Sequence, residues 1–330
     1  MKKIFFIFVF SAMFVNALEA KYTNCEFQNE HYSDICKKVI SHGVTYSYAN
    51  KFLLSYLKTK KFDEVSWKYL QPRHIKTHRA AEKRANNTLV KYIPKMVKHL
   101  KKYKEVYDYS ERKYGVNREV VAAILLKETS LGAIKPKHDA FIVFNTMVVR
   151  TPHPKTSRER WLLNMGKNNM AAIIEYCYAK KLKPNECNLP SSYAGAVGIP
   201  QFMPNSFNYT QGYKSDVADL TKMEDAIVSA SKYLHIKAKF TQLIDFSKFP
   251  NMPKIEQEWY DFAYEYDNAS FVYAKSKRSN KTYQCFACQK PELSYLKEYT
   301  KKIMRYNNSS NYAIGVLRLA YDAHNLLQRR

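Results

Sequence analysis

Within the stretch ILLKETSLG, residues 124–132, one carboxyl group stands where a carboxyl is costly. The run from Asn117 to Ala133 has helical spacing. Val121, Ile124, Leu125 and Glu128 recur at i, i+3, i+4 and i+7, so Glu128 falls on the apolar stripe of its helix. Loss of water there disfavours the ionised form, and unless a cation compensates, the pKa of Glu128 rises. A carboxylic acid that keeps its proton near neutral pH can donate it to a leaving oxygen and later take one back, which is general acid–base chemistry. The competing reading is a structural glutamate, paired with an arginine or hydrogen-bonded in a core.

Two other stretches could join that chemistry. In SSYAGAVGIPQFMPNSF, Ser191 to Phe207, the residues Ala194, Gly195, Ala196 and Gly198 leave the backbone almost bare, which suits a turn approaching a ligand or another helix closely. Gln201 offers an amide among Ile199, Phe202 and Met203. A phosphate-binding loop would need a following Gly-Lys-Ser/Thr, which is absent. In RYNNSSNYA, Arg305 to Ala313, Tyr306 and Asn307 precede a helix that Ser309 or Ser310 can cap. Placed near Glu128, their hydroxyl and amide could position a carboxyl or bind a sugar ring.

The elements that must carry these residues read as mostly α-helical. The chain has only 8 glycines and long runs with helical spacing. VSWKYL, FIVFNTMVV and the aromatic stretch near Trp259 are open to a short-strand reading. IPKMVKHLKKYKEVYDYSERKYG reads as one helix ending near Gly115 and feeding into the Glu128 helix. No internal repeat or low-complexity linker is seen. Residues 1–20 form a leader, 21–88 a basic helical extension and 89–330 the main domain. Within the last, 236–300 is an irregular insertion and 301–330 a returning C-terminal helix.

The leader reading rests on MKKIFFIFVFSAMFVNALEA. Two lysines precede an apolar run from Ile4 to Val15, followed by small residues suited to cleavage. Cys25 lacks the small-residue context of a lipidated cysteine, so a soluble periplasmic product is expected. No later segment approaches the roughly 18 uninterrupted apolar residues of a membrane span. Six cysteines fall in three close pairs, Cys25 with Cys36, Cys177 with Cys187 and Cys285 with Cys288. In an oxidising compartment these read as local disulfides; the alternative, a zinc site on the Cys285–Cys288 CxxC, lacks a second CxxC. Lysine and arginine number 54 against 29 acids, a net charge of +25. Such an excess ordinarily suggests nucleic acid, but export argues against it; attraction to anionic cell-wall polymer, peripheral contact with an anionic membrane surface and a plain solvated lysine-rich surface stay open.

Glu128-Thr129 with Gly132, Ser192 to Gly198 running into Gln201-Phe-Met-Pro204, and Arg305-Tyr-Asn-Asn-Ser309 together resemble the ordered motifs of lytic murein transglycosylases of the membrane-bound transglycosylase B type. The resemblance implies a lysozyme-like helical fold and a substrate of peptidoglycan glycan strands; no cofactor is expected, and no metal, because the relatives' calcium loop is missing from this chain. Glu128 matches the family's single catalytic acid. Ser192 and Gln201 match residues that line the sugar subsites or support that acid, and Tyr306 and Asn307 match the pair beside it. Phe202 and Met203 hold the loop or floor a sugar. In the implied reaction Glu128 protonates the oxygen joining N-acetylmuramic acid to N-acetylglucosamine. It then deprotonates the muramyl C6 hydroxyl, leaving a 1,6-anhydro end. A hydrolase would need a second carboxylate, and none stands around the matched motifs. The alternatives are a non-catalytic peptidoglycan-binding scaffold and a basic protein that binds polyanions. The chain departs from the family pattern at Leu131, where an aromatic is expected, and at RTPHP, where His153 stands near an expected tyrosine. It departs again in YTQGYKSDVADLTKMEDAI, which lacks the relatives' Asp- and Gly-rich calcium loop.

Overall fold

The computed structural model describes residues 25–55, 62–266, 269–273 and 284–329; the expected leader and part of the expected insertion lie outside them. Thirteen α-helices occur among the described residues. In chain order they are α1 (Glu30–Ser41), α2 (Tyr46–Asn50), α3 (Glu64–Tyr69), α4 (Pro72–Leu89), α5 (Ile93–Lys102), α6 (Lys104–Tyr114) and α7 (Arg118–Thr129). There follow α8 (Ala140–Arg150), α9 (Ser157–Ala179), α10 (Met223–Ile236), α11 (Met252–Glu265), α12 (Ser294–Ile303) and α13 (Ser310–Gln328). The strands β1 (His138–Asp139) and β2 (Pro190–Ser191) pair antiparallel, His138 opposite Ser191. The chain divides into two compact units.

The first unit comprises the described residues up to Leu70 together with Pro136–Val197 and Phe202–Phe207. Its core is α9 packed on α8 and α1. Thr156 and Glu159 form a reciprocal capping box that starts α9, and Asp139 caps α8 by accepting from the backbone N–H groups of Phe141 and Ile142. FIVFNTMVV is helical, not a strand. Its β-branched and aromatic content reads as strand, but with the Asp139 cap in place every residue from Ala140 to Val148 is buried, so no polar face is left to show the helical period. Cys25–Cys36 and Cys177–Cys187 are disulfides of this unit.

The second unit comprises Gln71–Lys135, Gly198–Gln201 and Asn208–Arg330. Helix α13 is its axis, packed on α7 and also on α4, α5, α11 and α12. The helix expected to run unbroken to Gly115 is two helices, because Tyr103 leaves the helical conformation between α5 and α6. Gly115 does end α6, at φ +63°. The stretch around Trp259 is also helical. Asn251 caps α11, Pro253 lies in its first turn, and Met252, Ile255, Glu256, Trp259 and Tyr260 form its buried face. Helix α11 thus places regular structure inside residues 236–300. Cys285–Cys288 is a disulfide.

Candidate active site

Glu128 occupies the last turn of α7, and the way that helix ends shapes its surroundings. Ser130, Leu131 and Gly132 follow with φ of 52°, 61° and 79°. Left-handed backbone costs a non-glycine residue about 1 kcal/mol or more, so the turn must be held. Thr129 holds it. Its Oγ1 accepts from the Gly132 N–H at 3.1 Å and donates to the Ile199 carbonyl at 2.9 Å.

That second bond draws in the tip of the small-residue loop, Gly198–Gln201. The Ile199 N–H donates to Leu220 O at 2.8 Å, and the Tyr306 hydroxyl donates to Pro200 O at 2.5 Å. Gly198 sits at φ +73°, and a Cβ there would lie 2.5 Å from Leu220 Cβ. The close approach expected of this glycine is therefore made to the Leu220 segment. In the first unit, a Cβ on Gly195 (φ +85°) would lie 2.3 Å from Phe144 Cζ.

The Tyr312 hydroxyl donates to Glu128 Oε1 at 2.6 Å. Tyr312 is set by Ser309, the N-cap of α13, whose Oγ accepts from the Tyr312 N–H at 3.2 Å and donates to Glu82 Oε2 of α4 at 2.6 Å. The rings of Tyr306 and Tyr312 lie parallel, 6.5 Å apart, and Tyr233 meets Tyr306 edge-on at 5.3 Å. Lys127 Nζ lies 4.9 Å from the Tyr312 ring centre.

Burial raises the Glu128 pKa to about 7. The Tyr312 hydrogen bond and the Lys127 charge pull against that rise, and the Glu82 carboxylate adds to it. The negative end of the α7 dipole also favours the neutral acid. Burial, then the Glu128 charge, holds both Tyr306 and Tyr312 well above the ordinary tyrosine value, so both stay hydroxyl donors. A half-buried carboxyl that titrates near neutrality, with one oxygen oriented by a fixed donor, can both give and take a proton.

Of the residues picked from sequence, Glu128, Tyr306, Asn307 and Gln201 belong to the second unit. Gln201, at φ +53°, turns its amide onto Gly198 O at 2.8 Å, and Asn307 is exposed, its carbonyl accepting from Ser309 N. Ser192, Phe202 and Met203 belong to the first unit. There the Ser192 hydroxyl accepts from the Ala196 N–H at 3.2 Å, Phe202 is buried in mutual backbone bonds with Val197, and Met203 packs on the core. Sequence reasoning missed Tyr312, Lys127 and Glu82. Tyr312 lies within RYNNSSNYA, six residues after Tyr306, but nothing in the sequence sets it against Glu128. Glu82 fell in the expected extension.

The family model described as the transglycosylase SLT domain matches residues 27–321. The chain belongs to this family. Its activity is accordingly that of a peptidoglycan lytic transglycosylase, and the expected mainly α, lysozyme-like fold is the one observed. Among solved structures it is similar to the Escherichia coli lytic transglycosylase Slt35 in complex with bulgecin A, with a TM-score of 0.61 and 18% identity over 92% of this chain and 95% of that one. It is similar to Pseudomonas aeruginosa SltB1, with a TM-score of 0.56 and 17% identity over 89% and 99%. SltB3 of the same organism, in complex with NAG-anhNAM-pentapeptide, gives 0.55 and 17% over 88% and 77%. No curated protein matches by sequence.

Slt35 has also been solved in complex with calcium. Among the described residues of this chain no group of three or more His, Cys, Asp or Glu side chains is placed to hold a metal ion. Asp225 accepts from the backbone N–H groups of Tyr213 and Asp219, at 2.8 and 2.7 Å, and Asp219 Oδ1 is taken by the N–H and hydroxyl of Thr221. These hydrogen bonds tie the segment to the start of α10.

Proposed function

We propose that Glu128 is the single acid and base of a lytic transglycosylase that cleaves between N-acetylmuramic acid and N-acetylglucosamine and leaves 1,6-anhydromuramyl ends. The observation that carries this reading is the Glu128 carboxyl, raised to about 7 and oriented by the Tyr312 hydroxyl. In its neutral form it donates to the leaving glycosidic oxygen. As that bond breaks, the carboxylate formed is stabilised by Tyr312 and Lys127, and it removes the proton of the C6 hydroxyl as the ring closes on C1. The acid is thereby regenerated. Glu82 is the other carboxylate whose charge bears on Glu128 among the described residues, and its Oε2 is occupied by Ser309. That engagement favours transglycosylation over activation of a water by a second carboxylate.

The substrate class, peptidoglycan glycan, is supported by the family and by SltB3 having been solved with muropeptide ligands. Residues 1–20 direct export on this reading, and among the described residues no helix is long and apolar enough to cross a membrane. Replacing Glu128 by Gln tests the assignment. Turnover on purified sacculi should fall by at least ~10²-fold with sacculus binding retained; near wild-type turnover would remove Glu128 from the mechanism.

A further inference from the structure

The acid–base role proposed for Glu128 uses its neighbour Lys127 only as a nearby charge, and any further function assigned to the lysine rests on that reading of Glu128. Lys127 is half-buried at the end of α7. Its Nζ donates to Asn86 Oδ1 of α4 and lies 4.9 Å from the ring centre of Tyr312, the residue that donates to Glu128. Consecutive helix residues point about 100° apart and do not ordinarily share a face. Here both reach the same tyrosine, one at its ring and the other at its hydroxyl.

The partner of Lys127 is itself fixed. Asn86 is buried, and its Nδ2 donates to the Tyr260 hydroxyl at 2.6 Å and to Asn311 O at 2.8 Å, which leaves Oδ1 to accept from the lysine. The Tyr260 hydroxyl in turn donates to Glu256 Oε1 at 2.8 Å, and Arg318 pairs with Glu256 Oε2 at 3.3 Å. Gly315 makes room for the amide, since a Cβ there would lie 2.3 Å from Asn86 Oδ1 and 2.5 Å from Nδ2. Each member of the chain from Glu256 to Lys127 has its polarity set by the next.

We propose that Lys127 is a positioning residue for the reaction: held by Asn86, its ammonium fixes the ring of Tyr312, and so the hydroxyl that orients Glu128, while its charge favours the carboxylate form needed for the second, base-catalysed half. Burial draws the lysine's pKa below its ordinary value, and the carboxylates of Glu82, Glu128 and Glu256 oppose that fall. The charged and titratable groups facing the pair are Glu82 of α4, Glu256 and Tyr260 of α11, Tyr312 of α13, and Tyr306 with Tyr233 of α10 behind it. Lys95 of α5 reaches the turn only at Ser130 O, 3.5 Å away.

The test compares Lys127→Gln, Lys127→Met and Lys127→Arg on purified sacculi across pH, with the 13C resonance of the Glu128 carboxyl followed in parallel. Gln keeps a donor for Asn86 Oδ1 while removing the charge, so it carries the test if Met impairs folding. For Gln the Glu128 titration and the alkaline limb of activity should both move up by half a unit or more. Its kcat should fall about tenfold with KM within twofold of wild type, and Arg should restore both kcat and limb. A Gln variant with wild-type kcat, limb and carboxyl titration would overturn the proposal while leaving Glu128 untouched. Failure of the Glu128 reading itself would show separately, as an active Glu128→Gln enzyme.

Discussion

Glu128→Gln should make the protein more stable, and by an amount that depends on pH in a defined way. The folded state raises this carboxyl from 4.5 to about 7, chiefly through burial, so the native protein holds the proton more tightly than the unfolded chain does. The contribution of the protonated glutamate is therefore fully present below pH 4.5 and is lost as pH rises through 7. Two and a half units at about 1.4 kcal/mol each give about 3 kcal/mol, which the half-buried position of the residue reduces to about 2 to 3 kcal/mol. Gln is uncharged at every pH, and its Oε1 can still accept from Tyr312. Urea denaturation of both proteins at pH 4.5, 6 and 8 should show a stability difference near its minimum at pH 4.5, growing through pH 6 and reaching about 2 to 3 kcal/mol in favour of Gln at pH 8. A difference that stays constant across this range would refute the claim that an ionised Glu128 is costly in the folded state, and with it the physical basis for its role as an acid.

Tyr312→Phe removes the hydrogen bond that holds the Glu128 pKa down, so the alkaline limb of activity on sacculi should move up while kcat falls about tenfold, the worth of one hydrogen bond to a charged group; superimposable pH profiles would contradict this. Gly198→Val should lower both melting temperature and activity. It places a branched side chain at φ +73° against Leu220, an overpacking of about 1 to 3 kcal/mol, whereas Gln201→Ala removes only the bond to Gly198 O at about 1 kcal/mol, and thermal melts of the two variants should separate accordingly.

Glu128 was legible because a carboxyl breaks an otherwise apolar helical run, and a misplaced charge is visible without any structure. Gly195 and Gly198 were legible for a related reason: bare backbone between apolar residues signals a contact that a side chain would block, though not its partners, Phe144 and Leu220. Ser309 was readable as the cap of α13. The break between α5 and α6 at Tyr103 was not, since neither glycine nor proline marks it. Nor was α8, buried on all sides and so without periodicity. Tyr312, Glu82, Asn86 and Lys127 converge only through the packing of α4, α7 and α13, which lie far apart in the chain. A lysine beside a glutamate on a helix reads as ordinary surface until the tyrosine between them is placed.

Mass analysis of the muropeptides released from purified sacculi tests the central claim most directly. With one carboxyl serving as acid and then base, digestion in H2(18)O should yield fragments ending in 1,6-anhydro-N-acetylmuramic acid and carrying no 18O at C1. Reducing N-acetylmuramic ends labelled with 18O would contradict the account, for they would show water as the nucleophile and a second group, with Glu82 the first to examine, activating it.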